Sequence, residues 1–134
     1  MKEMIVCDIE IVTSSSGTRT RYAARGRFFE EGDGFVLCYQ QDGDTVRLSV
    51  RGQSFCMERR GGTEISLSLA EGAAGLLELA VGGEKGEVSA RCDRCLVRST
   101  RDGRRILLRY GLCFGQECQV FRVNIAVKFI SEEQ

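Results

Sequence analysis

The sequence predicts an all-β protein, an antiparallel up-and-down (meander) barrel of eight to ten strands in a single domain, residues 1–134. Three observations predict it. Apolar side chains recur at every second position in one short segment after another, glycine-rich turns separate the segments, and the chain has 16 glycines and no proline. Because side chains alternate between the two faces of a strand, this period buries one face and leaves the other in water. The short connections favour a meander over a Greek key, which needs a long return.

The ten segments follow one another along the chain at residues 3–13, 19–31, 35–41, 45–51, 53–60, 63–70, 74–81, 87–99, 104–115 and 118–130. The last segment shows the alternation most clearly. Its apolar side chains share one parity: Phe121, Val123, Ile125, Val127 and Phe129. The same pattern defines the first segment through Ile5, Cys7, Ile9 and Ile11, and the middle ones through pairs and triplets such as Val46, Leu48 and Val50.

Turn chemistry marks the boundaries between these segments. The cluster Ser14-Ser15-Ser16-Gly17 is typical of a turn, and Asp42-Gly43-Asp44 and Asp102-Gly103 supply the positive φ that tight hairpins need. The glycine-rich stretch 82–86 is predicted as a turn and not as a domain linker. Ring closure would remove the exposed sheet edges that a chain without proline leaves unprotected.

Composition excludes several classes of function. The chain has 19 Lys and Arg against 19 Asp and Glu, and this balance argues against a general nucleic-acid or membrane-surface protein. It contains no histidine, so neither a Ser-His or Cys-His base nor an imidazole-bound metal can form. The start shows no signal-peptide pattern, and we expect a cytoplasmic protein in which none of the seven cysteines needs a disulfide.

A series of short motifs resembles the YwiB-like family of small bacterial proteins. The motifs are Gly26-Arg27-Phe28-Phe29, Tyr39-Gln40-Gln41, Arg59-Arg60-Gly61, Gly72, Gly86 and Tyr110-Gly111-Leu112. The resemblance implies a lipocalin-like (calycin) barrel and gives no established biochemical role. In that family an acidic residue is usual where Gln41 stands here.

Polar side chains on the inward parity are the candidate ligand site. Arg59 shares its parity with Phe55 and Met57, and the other candidates are Gln41, Tyr39, Tyr110 and Tyr22. Apolar walls with a few convergent polar groups are typical of a small-molecule pocket. With neutral Gln41 in place of the acid, the Arg59 guanidinium is expected to lack a neutralising partner and to face an anionic ligand. The alternative is structural, with Arg59 reaching the rim or binding strand carbonyls at the barrel end.

Four cysteines give the outline of a thiolate metal site. Cys92 and Cys95 form a C-x2-C pair, and Cys113 and Cys118 follow at a spacing typical of zinc. In a regular strand, residues three apart point to opposite faces, so the pair converges only if Asp93-Arg94 forms a bulge. The preferred interpretation is ordinary buried cysteine, and neither a metal nor a cofactor is predicted.

A basic stripe of Arg19, Arg21, Arg25 and Arg27 lies on one face of the second segment. A row of this kind suits phosphate, yet acidic residues in adjoining turns make a solvated face with cross-strand ion pairs the preferred interpretation. Neither a nucleic-acid nor a membrane partner is predicted.

The leading functional hypothesis is a non-enzymatic barrel that holds a small, partly apolar ligand. The alternative is a protein–protein interaction module with a filled core, using an outer sheet face and able to form a homodimer. An enzyme is the least favoured class, because carboxylates cluster in turns and histidine is missing. A hollow interior would favour the first hypothesis, and a filled one the second.

Overall fold

A computed structural model gives the structure of the protein and describes residues 3–130. Ten strands form within these residues: β1 (Met4–Ser15), β2 (Thr18–Glu31), β3 (Gly34–Gln41), β4 (Asp44–Arg51), β5 (Ser54–Arg60), β6 (Thr63–Ala70), β7 (Ala74–Val81), β8 (Glu84–Thr100), β9 (Gly103–Phe114) and β10 (Glu117–Phe129). The described part of the chain contains no helix, and therefore none with the length and apolarity of a membrane span.

The strands form a closed antiparallel barrel in which each pairs with its neighbours in sequence, and β1 closes the ring against β10. The predicted fold class is therefore confirmed. The largest difference in strand bounds is at β8, which begins at Glu84 and not at residue 87, because Gly82 and Gly83 make the whole turn with φ of 59° and 85°. Glycine adopts such angles without a Cβ penalty, so two residues suffice to reverse the chain.

Strand length divides the ring into two parts. The long-strand half consists of β8, β9, β10, β1 and β2, which have 12 to 17 residues each. The short-strand half, β3 to β7, has strands of 7 or 8 residues. Because the meander alternates direction, the turns at 16–17, 42–43, 61–62, 82–83 and 115–116 lie at one end, called the upper end below. The other four turns, at 32–33, 52–53, 71–73 and 101–102, lie at the lower end.

The inward parity of the strands fills the barrel with one apolar cluster. Its largest fully buried members come from both sides of the ring and include Phe28, Ile9, Leu37, Ile106 and Ile125. Each such side chain stabilises the fold by about 1.5–3 kcal/mol relative to leaving it exposed. Alternation along the strands thus produces a packed core, with polar side chains on the outer surface.

A bulge interrupts β8 between Cys92 and Arg94, where the pairing with β9 shifts by one residue. The turn after β6 holds it in place. The Cys95 amide donates to the Glu71 carboxylate at 2.8 Å, and the Gly72 amide donates to the Cys92 carbonyl at 2.8 Å. Cys92 and Cys95 consequently both face the core, at 1% exposure each. The sequence predicted that these two side chains share a face only if a bulge forms, and that bulge is present.

Gly26 marks the place where β2 separates from β3. The two strands pair only from Arg27 onward, and a Cβ at Gly26 would lie 2.6 Å from the Cys38 carbonyl oxygen and 2.7 Å from Ile9 Cδ1. No real side chain fits at that distance. This close approach gives a physical reason for glycine at one of the family landmarks.

Candidate functional site

The inward arginine at the upper end has a carboxylate partner. Arg59 Nε donates to Asp44 Oδ2 at 2.7 Å, and the Gly62 amide donates to the other oxygen at 2.9 Å. The two side chains are only 22% and 10% exposed. The hydrogen bond from Arg59 lowers the pKa of Asp44 below its ordinary value, and the Gly62 amide acts in the same direction. Arg59 and Asp44 therefore form a charge-assisted pair at the rim of the core.

This pair corrects the expectation that Arg59 lacks a neutralising charge. Gln41 stands directly opposite Asp44 in the β3–β4 register, so the carboxylate comes from the other side of the hairpin turn. Sequence reasoning placed Asp44 in the turn, although it shares its parity with Val46 and Leu48. A side chain on that parity at the first position of a strand faces inward.

Two of the predicted tyrosines lie beside this pair. The rings of Tyr22 and Tyr39 are 6.0 Å apart, and the Tyr22 hydroxyl donates to the Gln40 carbonyl at 3.1 Å. Tyr39 is buried, and its burial raises its pKa to about 12; Tyr22 pushes the pKa the same way and Arg59 opposes the rise. Arg59, Tyr39 and Tyr22 therefore form one cluster, in which the Tyr39 hydroxyl is uncharged near neutral pH.

The remaining predicted ligand residues lie elsewhere on the inward face. Tyr110 stacks on Phe121 with ring centroids 5.4 Å apart, and burial raises its pKa. Phe55 is a core residue in register with Val50 and Leu69 towards the lower end, and Met57 lies in register with Leu48 and Leu67. Ligand binding by these side chains stays a prediction.

Sequence reasoning missed a second inward arginine, at the lower end. Arg104 Nη2 lies 3.2 Å from Glu30 Oε2, and Nη1 donates to the Gly103 carbonyl at 2.8 Å. Its guanidinium carbon lies 5.3 Å and 5.5 Å from the ring centroids of Phe28 and Phe129. The signal was available, because Arg104 shares its parity with Ile106 and Leu108. The guanidinium closes the lower end as a cation on two aromatic faces.

The cysteines correct another expectation. Cys113 and Cys118 lie directly opposite each other in the β9–β10 hairpin and form a disulfide, with Cα atoms 4.0 Å apart. The other five cysteines are free thiols. Burial raises the pKa of the Cys7 and Cys95 thiols to about 11, so these two are poor nucleophiles near neutral pH.

The candidate four-cysteine zinc cluster is not assembled. Cys92 and Cys95 face the core, whereas Cys113 and Cys118 are bonded to each other. Within residues 3–130 no group of three or more Cys, Asp or Glu side chains is arranged to hold a metal ion.

Arginines that are far apart in the sequence come together on the outer face of the long-strand half. Four arginines on four strands fall into one cross-strand row, with Ser14 of β1 between the first two: Arg19, Arg122, Arg109 and Arg94. We call these four residues the arginine row. They line a cleft of about 420 Å³, together with residues that include Val12, Leu107 and Asn124.

The arginine row is largely unpaired. Arg109 lies 3.6 Å from Asp93, whereas Arg19, Arg94 and Arg122 make no ion pair with any residue between 3 and 130. Elsewhere in the basic stripe of β2, the expected cross-strand ion pairs are confirmed. Arg21 lies 3.4 Å from Glu10 and Arg25 lies 3.3 Å from Asp8, both on β1 and not in the adjoining turns.

Comparison with known proteins places the fold. No protein-family model and no curated protein matches the sequence. Among solved structures, the chain is similar to the crystal structure of the YwiB protein from Bacillus subtilis, with a TM-score of 0.78 and 13% sequence identity over 97% of this chain and 94% of that one. The resemblance to YwiB-like proteins seen in the sequence is confirmed at the level of the fold.

Proposed function

We propose that this protein is a non-enzymatic binding module that engages an anionic partner through the outer face of its long-strand half. One observation carries the proposal: the inward Arg59 and Arg104 have carboxylate partners, whereas three of the four arginines in the row have none among residues 3–130. This choice corresponds to an interaction module with a filled core, the alternative that the sequence left open.

Among the described residues, the interior of the barrel provides no unpaired guanidinium group for an anionic ligand, because both inward arginines have carboxylate partners. Arg59 is bound to Asp44 and Arg104 to Glu30, so a ligand would have to displace a carboxylate from either guanidinium. The space between them is occupied by the apolar cluster that both halves of the ring contribute. Displacing Asp44 from Arg59 would leave a carboxylate that is only 10% exposed without its countercharge, which disfavours entry of an anionic ligand at the upper end.

The outer face, in contrast, is already set up for an anion. The side chains of the arginine row are exposed on a shallow cleft, and within the described part of the chain Asp93 alone forms an ion pair with one of them. Guanidinium groups bind carboxylate and phosphate oxygens through two parallel hydrogen bonds. A partner with negative charge would find several such groups in one line.

Retention on a cation-exchange resin near pH 7.5 tests this proposal. The net charge of the chain is zero, so binding to the resin requires a local cationic face. We expect the wild type to be retained at low salt. The double variant Arg109→Gln and Arg122→Gln should elute at clearly lower salt, because it loses the middle of the row.

The matched control is Arg47→Gln with Arg51→Gln on β4, which removes the same net charge from arginines that already have carboxylate partners and lie outside the long-strand half. It should elute close to the wild type. Equal losses in the two variants would contradict the proposal. So would native mass spectra showing a small molecule bound one to one and lost in Arg59→Met, since that result would place the function in the interior.

A further inference from the structure

A second strip of side chains runs parallel to the arginine row, two residues further along each strand and therefore on the same face. The register aligns Val12 of β1 with Asn124 of β10, Asn124 with Leu107 of β9, and Leu107 with Leu96 of β8. All four side chains are partly exposed. We call them the apolar-amide strip. It offers hydrocarbon surface with one amide at its centre.

Two further arginines border this strip on its other side. Arg105 and Arg98 are paired in the β8–β9 register and are exposed. Arg105 Nε donates to Asn124 Oδ1 at 3.4 Å, which orients the amide and leaves its NH2 group free to donate. The face therefore presents cations, then apolar surface with a hydrogen-bond donor, then cations again.

From this arrangement we infer that the partner is a single strand of nucleic acid, with its phosphates along the arginine row and its bases against the apolar-amide strip. The inference rests on the proposed function and names the partner. Neighbouring strands lie about 4.8 Å apart, so the row from β2 to β8 spans about 19 Å. That length matches about four or five nucleotides of one strand, within the range of single-stranded sites on β-barrels.

The strip distinguishes a nucleic-acid strand from a purely anionic chain. A polyphosphate would use the arginines and leave Leu107, Leu96 and Val12 in water. A strand with bases covers them and can accept a hydrogen bond from Asn124. The strip holds no aromatic side chain on which bases could stack. Binding should therefore depend strongly on salt and weakly on sequence.

A second copy of the chain is the competing occupant. The short-strand half and β8 carry an outer row of Glu58, Ser66, Glu78 and Glu87, opposite in charge to the arginine row. However, Glu58 lies 3.7 Å from Arg60 of the same strand, so this row is partly neutralised. A contact between two different faces is also heterologous, so it would form a ring or an open filament and not a two-fold dimer.

The test is fluorescence anisotropy with a labelled 12-residue oligouridylate at 50 to 200 mM salt. Four phosphate contacts predict a slope of about −3 in log K against log salt, which is about a 50-fold loss of affinity over that range. Arg109→Gln with Arg122→Gln should weaken binding at least tenfold and halve the slope. The control Arg47→Gln with Arg51→Gln should change neither by more than about twofold. Circular dichroism would verify that both variants are folded.

Each other outcome overturns the inference. Retention on the resin without oligouridylate binding at 50 mM salt would refute it and leave the proposed function standing. Equal affinity for a duplex of the same length, or for inorganic polyphosphate, would remove the role of the bases. Salt-sensitive self-association in sedimentation without nucleic acid, abolished by Arg109→Gln with Arg122→Gln, would assign the face to a second copy. Loss of both resin and oligonucleotide binding in the control variant would refute the proposed function as well.

Discussion

Both ends of the barrel contain an inward-facing arginine, but the groups that surround its guanidinium differ between the two ends. Each places an arginine on the inward parity with about one fifth of its side chain exposed, Arg59 above and Arg104 below. At the upper end the partner carboxylate, Asp44, is 10% exposed and is also bound by a backbone amide. At the lower end the partner, Glu30, is 72% exposed, and the guanidinium lies over two phenylalanine rings.

This difference shows that the stabilisation supplied by an inward arginine depends on which groups its removal would leave without a partner. Removal of Arg59 leaves a buried carboxylate with no countercharge. Removal of Arg104 leaves a glutamate in water and two rings that another apolar chain can cover. A buried charge without a partner costs far more than an exposed one, so the two ends should respond unequally to the same substitution.

The largest effect is expected from Arg59→Met, which keeps most of the stem and removes the charge. It should lower the free energy of unfolding by about 2–4 kcal/mol, because a hydrogen-bonded, buried partner loses its donor. Chemical denaturation measures this. Arg60→Met is the control on the same strand, since Arg60 is exposed and its pair with Glu58 is a surface pair. If Arg59→Met cost no more than Arg60→Met, the upper pair would not be structural.

The second-largest effect is expected on lowering the pH, which should destabilise the ion pair at the upper end. The pKa of Asp44 is lowered by folding, so its contribution to stability is present above the ordinary aspartate value near 4 and is lost as the pH falls through the lower folded value. Asp44→Asn cannot titrate and should flatten this part of the curve. Unfolding in urea from pH 2 to 7 measures both proteins. Parallel curves for wild type and variant would show that Asp44 does not carry the acid sensitivity.

The smallest effect is expected from Arg104→Met. The methionine stem can still cover Phe28 and Phe129, and Glu30 remains hydrated, so we expect a loss of about 1 kcal/mol from the cation–π contact and the exposed ion pair. The same denaturation experiment applies. A loss as large as that of Arg59→Met would make the two ends equivalent and the comparison wrong.

Alternation along each strand was enough to predict the ten segments and the barrel, because that signal is local and repeats throughout the chain. It also predicted that Arg59 faces inward. Parity alone would equally have indicated Asp44, which was interpreted as a turn residue, and Arg104, which begins the segment 104–115 on the same parity as Ile106. The prediction that no cysteine needs a disulfide is wrong. It followed from the expected cytoplasmic location, whereas the hairpin register places Cys113 directly opposite Cys118.

The arginine row could not be predicted from composition or from any one segment. Its members come from positions 19, 94, 109 and 122 and align only when the register across four strand pairs is known. The zero net charge concealed it further, because a sum over the chain does not show where the charges lie. The basic stripe on β2 is visible in the sequence, but two of its arginines have carboxylate partners.

The bulge in β8 bears on how this chain can be aligned with distant relatives. One additional residue at Asp93 reverses the parity of all that follows in the strand, so Leu96 and Arg98 face outward only because of it. At 13% identity, a gap placed a few residues away would equate core positions with surface positions over half a strand. Homologous positions in β8 are therefore better assigned by superposing backbones than by matching letters.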